Sequence, residues 1–356
     1  MIKNKHLFFI ILFTQFGVTI SRLPFSVYKI TGSDGWISVL LTGVLIQILL
    51  FIYYSLYKSF PEKGFTEYTK ILMNTYIGSF INICYFIYFL YICIKLSIEF
   101  VDVINIWMFP NTPTWVVLIL FILTAIFIAK ENIQTIGRTF LSFSFIFFFV
   151  ILFIMFAYKN AHFGRLLPIG DSGIKKIAFG ISPAFVNMLG FEVFLFLGTD
   201  FENTKKKLST ISLANLVSTT LFTFVILTCY VSLSHYQSKT VKYPILYIIK
   251  GFQLQMVENL HIVLLSFWTI IMALSFIIYL YILSEGILKQ FKSKVHNRTL
   301  VLVIISLFLV SIYPIFSIPI LDKLQFLSIS IYFDSIFIIL IPCLLFIVNK
   351  VRRLIA

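Results

Sequence analysis

Ten apolar runs, each about as long as a bilayer is thick, constrain this chain more than any other feature of its sequence. Lipid offers no partner to unpaired peptide groups, so such runs must be helical, and on the order of 20 residues are needed for each crossing. The runs lie at residues 6–29, 35–57, 77–107, 114–129, 138–158, 174–198, 209–235, 259–288, 298–318 and 325–349. We therefore predict an all-α polytopic membrane protein with about ten transmembrane helices in a single domain over residues 1–356.

Composition indicates that lipid, rather than water, covers most of the surface. Hydrophobic residues make up 60% of the chain and charged residues 12%, with a mean hydropathy of +1.01, whereas soluble domains carry about 25% charged residues. The net charge of +14 is spread over short loops, so it does not indicate nucleic-acid binding. With the N-terminus inside, seventeen Lys and Arg residues lie on the cytoplasmic side and nine outside, which predicts that both termini are cytoplasmic.

Two of the runs carry helix-disrupting residues near their midpoints. The first contains Gly17 and Pro24, and the sixth contains Pro183 and the segment 187–190. A broken membrane helix exposes N–H and C=O groups that lipid cannot satisfy, so it has to line a cavity or a ligand site. Freed N–H groups favour a carboxylate and freed carbonyls favour an ammonium, which predicts a site for a zwitterion. The alternative is a pair of kinks without a ligand, because Gly and Pro are common in membrane helices.

The interruption at Gly190 lies in the fifth run after the one that contains Gly17. Because five is odd, two five-helix halves would have opposite topology, which is the arrangement of inverted-repeat transporters. We expect repeat one over about residues 6–159 and repeat two over about residues 174–349.

The third run carries three charged residues on one helical face: Lys95, Glu99 and Asp102, at positions i, i+4 and i+7. A charge inside the bilayer costs at least a few kcal/mol, so this face should point into the bundle. There are two interpretations of this face. Either it lines a hydrated path, or Lys95 and Glu99 neutralise each other so that the helix can pack, with Asp102 near the outer interface. Arg22, just beyond the first interruption, could pair with any of the buried acids.

Three further acids lie inside runs six, eight and ten. Glu192 follows Gly190 by two residues and is the best acidic candidate near a ligand, whereas Glu285 could simply pair with Lys289 at i+4 and Asp334 has no local basic partner. We expect the buried ionic groups to line a path for water or ions: Arg22, Glu99, Asp102, Glu192, Glu285 and Asp334.

Enzyme chemistry finds little support in the sequence. All five histidines lie in loops or at the ends of runs, and there is no P-loop, GxSxG motif, HExxH motif or Cys/His cluster. The four cysteines fall inside apolar runs, where thiols act as small hydrophobic groups. We predict a protein that is not an enzyme and that binds no cofactor or metal.

Several segments, in this order along the chain, resemble those of GerAB-type spore germination proteins. They are 15–24, 32–38, 166–174 leading into 190–193, and Tyr243-Pro244 with Glu258. The resemblance covers essentially the whole chain, with one departure: Asn259 stands where the family often has a basic residue.

This resemblance implies a ten-helix fold of the amino acid–polyamine–organocation (LeuT-like) type, with an inverted 5+5 repeat and broken helices one and six. It also implies a role as the B subunit of a nutrient germinant receptor in the spore inner membrane. The partners would be the A-type subunit and the lipoprotein C-type subunit, and the ligand a small nutrient, typically an L-amino acid.

We predict that the amino acid docks between the first and sixth helices. Its carboxylate would meet backbone N–H groups near Val18, Thr19 and Ile20, and its ammonium would meet carbonyls near Gly17 and Asn187. Gly17→Val should then abolish the response to ligand without loss of folded protein.

Other helices would close the site around the Gly190 interruption: the third near Lys95 and Glu99, and the eighth near Met272 and Ser275. Two other functions stay open. One is a proton-coupled amino acid transporter whose proton is taken up by Glu99, Glu192 or Asp334, and the other is a scaffold subunit that binds nothing.

Overall fold

The structure, a computed structural model, describes residues 2–19, 21–202, 206–251, 260–291, 297–316 and 331–355. Across these ranges the regular structure is helical, apart from one isolated parallel bridge between Ile2 and Phe201. The helices are α1 (Asn4–Thr19), α2 (Leu23–Thr31), α3 (Gly35–Ser59), α4 (Phe65–Met73), α5 (Thr75–Trp107), α6 (Thr114–Ala129), α7 (Ile133–Ser142), α8 (Ile146–Met155), α9 (Gly173–Asn187), α10 (Val193–Leu197), α11 (Lys207–Ser232), α12 (His235–Thr240), α13 (Pro244–Lys250), α14 (Leu260–Phe291), α15 (Arg298–Phe316) and α16 (Ile341–Ile355). A π-helical segment, Ile336–Leu340, precedes α16.

Six helical segments of the described chain are long and apolar enough to cross a membrane: Leu23–Ser59, Thr75–Trp107, Ile133–Lys159, Lys207–Ser232, Leu260–Phe291 and Ile331–Leu354. Two shorter apolar helices, Thr114–Ala129 and Arg298–Ser311, correspond to the fourth and ninth predicted runs. The first and sixth predicted runs are each divided, which leaves no continuous helix of spanning length over either of them. The all-helical, polytopic character is confirmed. The count of ten crossings, the inverted repeat and the extent of each half stay predictions.

The lipid-facing side of the bundle is visible on α3. Its large apolar residues Leu40, Val44, Ile48 and Phe51 recur every three or four positions and are between 40% and 60% exposed. In water such a stripe would promote aggregation, but in a bilayer apolar side chains are the ones that contact lipid tails favourably.

Helix α1 is packed against α7, α11 and α14. Aromatic side chains fill the space around it: the Phe13 ring lies 4.6 Å from that of Phe147, and the Phe16 ring stacks on Phe222 at 5.4 Å. The first predicted run is therefore densely packed in its first half, although it is one of the two interrupted runs.

Contacts between loops define the two ends of the bundle. At one end, the Glu202 amide donates to the Ile2 carbonyl at 2.9 Å and the Asn349 side chain donates to Ser59 at 2.7 Å, so both termini lie there. At the opposite end, the amides of Gly170 and Ser172 donate to Asp34, at 2.8 and 2.9 Å. We call the end with the termini the inner end and the opposite end the outer end, following the predicted orientation.

The interruptions lie close to the positions predicted for them, with two corrections. Helix α1 continues through Gly17 to Thr19 and α2 begins at Leu23, so the first break follows Gly17 by three residues. Pro24 occupies the first turn of α2, where backbone N–H groups have no partner within the helix, so the lack of an N–H breaks no hydrogen bond. Pro183 is accommodated inside α9, and the sixth run breaks only after Asn187.

Candidate functional site

The two interruptions lie against each other in the bundle. The Gln15 side chain, near the end of α1, donates to the Met188 carbonyl at 3.4 Å, and the Asn187 side chain donates to the Ser26 hydroxyl in α2 at 3.1 Å. Gly190 has φ +125°, and a Cβ there would lie 2.4 Å from the Gln15 backbone nitrogen. Only glycine allows both this backbone conformation and this approach.

Glu192 accepts a hydrogen bond from one backbone amide that the sixth interruption leaves without a helical partner. Its carboxylate accepts from the Gly190 amide at 2.7 Å and from the Tyr279 hydroxyl of α14 at 2.5 Å, and the residue is 2% exposed. Part of the exposed backbone predicted to need a ligand is thus satisfied by the protein itself. Glu192 thus lies at the Gly190 break, and its place near a ligand stays a prediction.

A buried ion pair lies deeper in the same region. Lys95 Nζ of α5 is 3.4 Å from Asp334 Oδ2, and both side chains are almost completely buried. The alternative Lys95–Glu99 pair is wrong. Arg22 forms ion pairs with both Glu99 and Asp102, because a planar guanidinium can bridge two carboxylates. Lys95, whose ammonium acts as a point charge, pairs with Asp334 instead.

Tyrosines surround this pair. The hydroxyls of Tyr53 and Tyr85 donate to the carbonyls of Ile338 and Phe337, at 2.6 and 2.7 Å, within the π-helical segment. Single π-helical turns are frequent at functional sites. Tyr88 lies beside Asp334, within electrostatic range of it.

We call five of these residues the central cluster: Tyr88, Lys95, Glu192, Tyr279 and Asp334. Tyr88 and Tyr279 are each within electrostatic range of both carboxylates, so the five side chains form one group rather than two separate pairs. The group joins α5, α14, the sixth interruption and the tenth predicted run.

A second group of charges, the outer cluster, lies toward the outer end and consists of Arg22, Glu99, Asp102, Lys242 and Tyr243. Arg22 Nη2 is 2.7 Å from Glu99 Oε2, 3.6 Å from Asp102 Oδ2 and 3.0 Å from the Tyr243 hydroxyl. Lys242 Nζ is 3.8 Å from Asp102. Burial raises the pKa of Tyr243, so its hydroxyl stays neutral and accepts from the guanidinium. The outer cluster ties the first interruption and α5 to the segment before α13.

A third group, the inner cluster, lies near the inner end and consists of Asp200, Lys207, Glu285, Lys289 and Arg298. Glu285 pairs with Lys289 at 3.3 Å, as its i+4 spacing predicts, and with Arg298 at 2.5 Å. Lys207 donates to the carbonyl of Gly198, at 2.7 Å, and so holds the end of the sixth run. The described residues contain no group of three or more His, Cys, Asp or Glu that could hold a metal ion.

Comparison with known proteins gives this arrangement a context. Residues 1–317 match the sequence model of the spore permease family, which is described as spore germination protein. The chain belongs to this spore germination protein family. It is 25% identical over 347 residues to spore germination protein A2 of Bacillus subtilis, which covers 96% of this chain and 93% of the relative. It is also similar to spore germination protein GerQB of Bacillus cereus, at 23% identity over 308 residues, 86% of this chain and 84% of the relative.

Within this family member, Gly17 and Ser275 meet as the prediction requires, but they meet in direct packing. A Cβ on Gly17 would lie 1.8 Å from Ser275 Oγ, which itself donates to the carbonyls of Phe13 and Ile271, both at 2.9 Å. The expectation that Gly17→Val removes the response without loss of folded protein therefore needs correction, because valine would also push α14 away from α1. Met272 lies beside this contact and is fully buried.

Other predicted positions of the germination protein are only partly described. Val18 and Thr19 form the last residues of α1, and the Ile20 position lies outside the described residues, as do Glu258 and Asn259. An open cavity with about 350 Å³ of empty volume lies at the inner end, beside the inner cluster. It does not touch Gly17 or Asn187.

Tyr279 and Lys207 are among the cluster partners that the sequence did not predict. Tyr279 follows Ser275 by four residues, so one polar face of the eighth run could have indicated it. Lys207 is the last of three consecutive lysines, and nothing in the sequence distinguishes it from its neighbours.

Proposed function

We propose that this chain is the nutrient-sensing subunit of a spore germinant receptor, with a binding rather than a catalytic role. One observation carries the proposal: in a spore germination family member, two interrupted helices lie against each other inside the bundle, held by contacts from Gln15 and Asn187. Lipid forbids unpaired peptide groups, so paired interruptions are retained where they serve a polar ligand.

The ligand class that best fits the interruptions is the L-amino acid. A carboxylate would be held by N–H groups at the start of α2, and an ammonium by carbonyls in the last turn of α1 and by the Asn187 side-chain oxygen. Arg22 at the first interruption links this site to the outer cluster, so ligand binding would bias the contacts between α5 and the outer loop. A ligand shifts such an equilibrium by its differential affinity for the two states.

We propose that this subunit lies in the spore inner membrane with both termini in the cytoplasm, together with A-type and C-type receptor subunits. Support comes from the position of both termini at one end of the bundle and from the names of the relatives. Ten crossings in an inverted 5+5 repeat would place the two interruptions in equivalent helices.

Ligand-induced thermal stabilisation tests the binding role. The purified protein in lipid nanodiscs is heated with each of the common L-amino acids in turn, and with the D-enantiomers as controls. At a ligand concentration of about 100 Kd, stabilisation of about 2.7 kcal/mol is expected for a true ligand. Absence of stabilisation with every L-amino acid would favour a scaffold subunit and refute the proposed ligand class.

Two buried asparagines give a matched pair of variants. Asn187→Ala at the interruption should weaken binding of the stabilising amino acid at least tenfold. Asn215→Ala removes a buried amide that donates to Gly43 and Gln47 between α3 and α11 rather than to the interrupted backbone, and should leave the affinity unchanged. Equal effects of the two substitutions on affinity would remove the proposed location.

The second candidate is a proton-coupled amino acid transporter, which the buried carboxylates Glu192 and Asp334 favour. Uptake of labelled amino acid by proteoliposomes distinguishes the two functions. Accumulation that depends on a pH gradient would establish transport, whereas saturable binding without accumulation is the result expected of the receptor subunit.

A further inference from the structure

The three charged clusters differ in their balance of charge. The outer cluster holds two bases and two acids, and the inner cluster holds three bases and two acids. The central cluster holds one base, Lys95, and two acids, Glu192 and Asp334. Among the described residues, Lys95 is the single base that forms an ion pair with either of these acids.

Two ionised carboxylates opposite one ammonium would leave a net negative charge in the least exposed part of the bundle. All three side chains are at most 4% exposed. An uncompensated charge in such surroundings costs several kcal/mol, so it is removed by protonation or by a counter-charge.

Within the described part of the chain, the side chains around the two acids offer no positive charge besides Lys95. The other titratable groups within electrostatic range of them are hydroxyls that are neutral at ordinary pH: Tyr53 from α3, Tyr85 and Tyr88 from α5, and Tyr279 from α14. Neutral groups can orient a proton but cannot balance a charge.

The geometry also leaves a place for one proton. Asp334 Oδ1 and the Tyr88 hydroxyl are both buried and lie within hydrogen-bonding reach of each other, and neither has another hydrogen-bond partner among the described residues. A proton on this oxygen would give the carboxyl a donor for Tyr88. The neighbouring Glu192 already accepts two hydrogen bonds, and the two acids are within electrostatic range of each other. Strongly coupled acids share their protons as a pair.

We propose that the central cluster is a proton-binding site, in which Glu192 and Asp334 together hold one proton taken from the aqueous phase at neutral pH, opposite Lys95. On the proposed function, the ammonium of a bound amino acid would supply the same positive charge and release that proton, so nutrient binding and proton release would be coupled. The proton site itself requires no nutrient.

Infrared spectroscopy of the purified full-length protein in an ester-free detergent tests the site. At neutral pH, solvent-exposed Asp and Glu residues are ionised, so a C=O stretching band of neutral carboxylic acid reports buried protonated groups. We expect this band in the wild-type protein, with a downshift in D₂O. Either Glu192→Gln or Asp334→Asn should abolish it, because each leaves one carboxylate balanced by Lys95.

Two further variants make the result specific. Lys95→Met should increase the band to about twice its wild-type intensity, because both acids must then be neutral. Glu62→Gln, at an exposed position between α3 and α4, should leave it unchanged. Circular dichroism checks that each variant is folded.

Absence of the band from the wild-type protein would overturn the proposal, whether the charge is then balanced by sodium or left uncompensated. A band that survives both acid substitutions would place the proton elsewhere and overturn it equally. Because the wild-type spectrum is decisive and contains no ligand, a failure of the nutrient proposal can be distinguished from a failure of this one.

Discussion

The outer and central clusters use the same kinds of residue under different conditions. The outer cluster is balanced in charge, and its charged side chains range from 4% exposed at Glu99 to 39% at Lys242. The central cluster is unbalanced and almost completely buried. Partly hydrated charges can separate at small cost, whereas buried ones cannot. The difference indicates that the outer cluster is the part that can open, and that the central cluster is a fixed polar centre.

The largest effect should follow from removal of the base in the central cluster. Lys95→Met leaves Asp334 buried without its partner, so the free energy of unfolding should fall by about 3–5 kcal/mol at neutral pH. The loss should shrink as the pH is lowered, because both acids are then neutral in the folded and the unfolded protein. Denaturant unfolding in detergent micelles at several pH values measures both. A loss that is independent of pH would contradict the assigned charges.

Removal of the base in the outer cluster should have a smaller effect. Arg22→Gln leaves Lys242 beside the two acids, and Asp102 and Lys242 are partly exposed, so we expect a loss of about 1–2 kcal/mol in the same unfolding assay. Arg22→Lys keeps the charge but cannot bridge both carboxylates, and should fall between the wild type and Arg22→Gln. If Arg22→Gln lowered the free energy of unfolding as much as Lys95→Met, the proposed difference between the two clusters would be wrong.

Two tyrosines on one face of α5 sharpen the description of the central cluster. Tyr85 donates to the Phe337 carbonyl, whereas the Tyr88 hydroxyl faces the Asp334 carboxyl, and both side chains are buried. Tyr85→Phe and Tyr88→Phe should each lower the free energy of unfolding by about 1 kcal/mol, because each removes a hydroxyl that faces a buried polar partner. No loss for Tyr88→Phe in calorimetric unfolding would show that its hydroxyl is not bonded to Asp334.

The smallest effect is expected at the edge of the outer cluster. Lys242 is 39% exposed and its nitrogen is 3.8 Å from Asp102. Lys242→Ala should lower the free energy of unfolding by less than about 0.5 kcal/mol, and added salt should remove even this difference by screening. Unfolding measured in low and high salt checks it, and a loss above about 1 kcal/mol that persists in high salt would mean that this residue belongs to the buried core.

Sequence alone was sufficient for the features that lipid imposes. The apolar runs and the two interruptions follow from the requirement that peptide groups pair inside a bilayer, and the breaks lie within a few residues of Gly17 and at Gly190. The partners of the charges were not predictable. Lys95 and Asp334 are 239 residues apart, and which of several acids meets Lys95 is decided by the packing of whole helices.

Close packing was also beyond the reach of the sequence. The sequence predicts a helix break at Gly17, whereas this residue lies inside α1 and provides the space that Ser275 occupies. Glycine serves both purposes, and only the position of the neighbouring helix distinguishes them.

The location of the ligand is the most direct test of the whole account. An experimental structure should be determined of the protein bound to the amino acid that stabilises it most, with the ligand identified by its own density. We predict that the carboxylate and ammonium of this amino acid lie between the end of α1 and the end of α9, within hydrogen-bonding distance of the interrupted backbone. A ligand bound in the inner cavity, with both interruptions unoccupied, would contradict it.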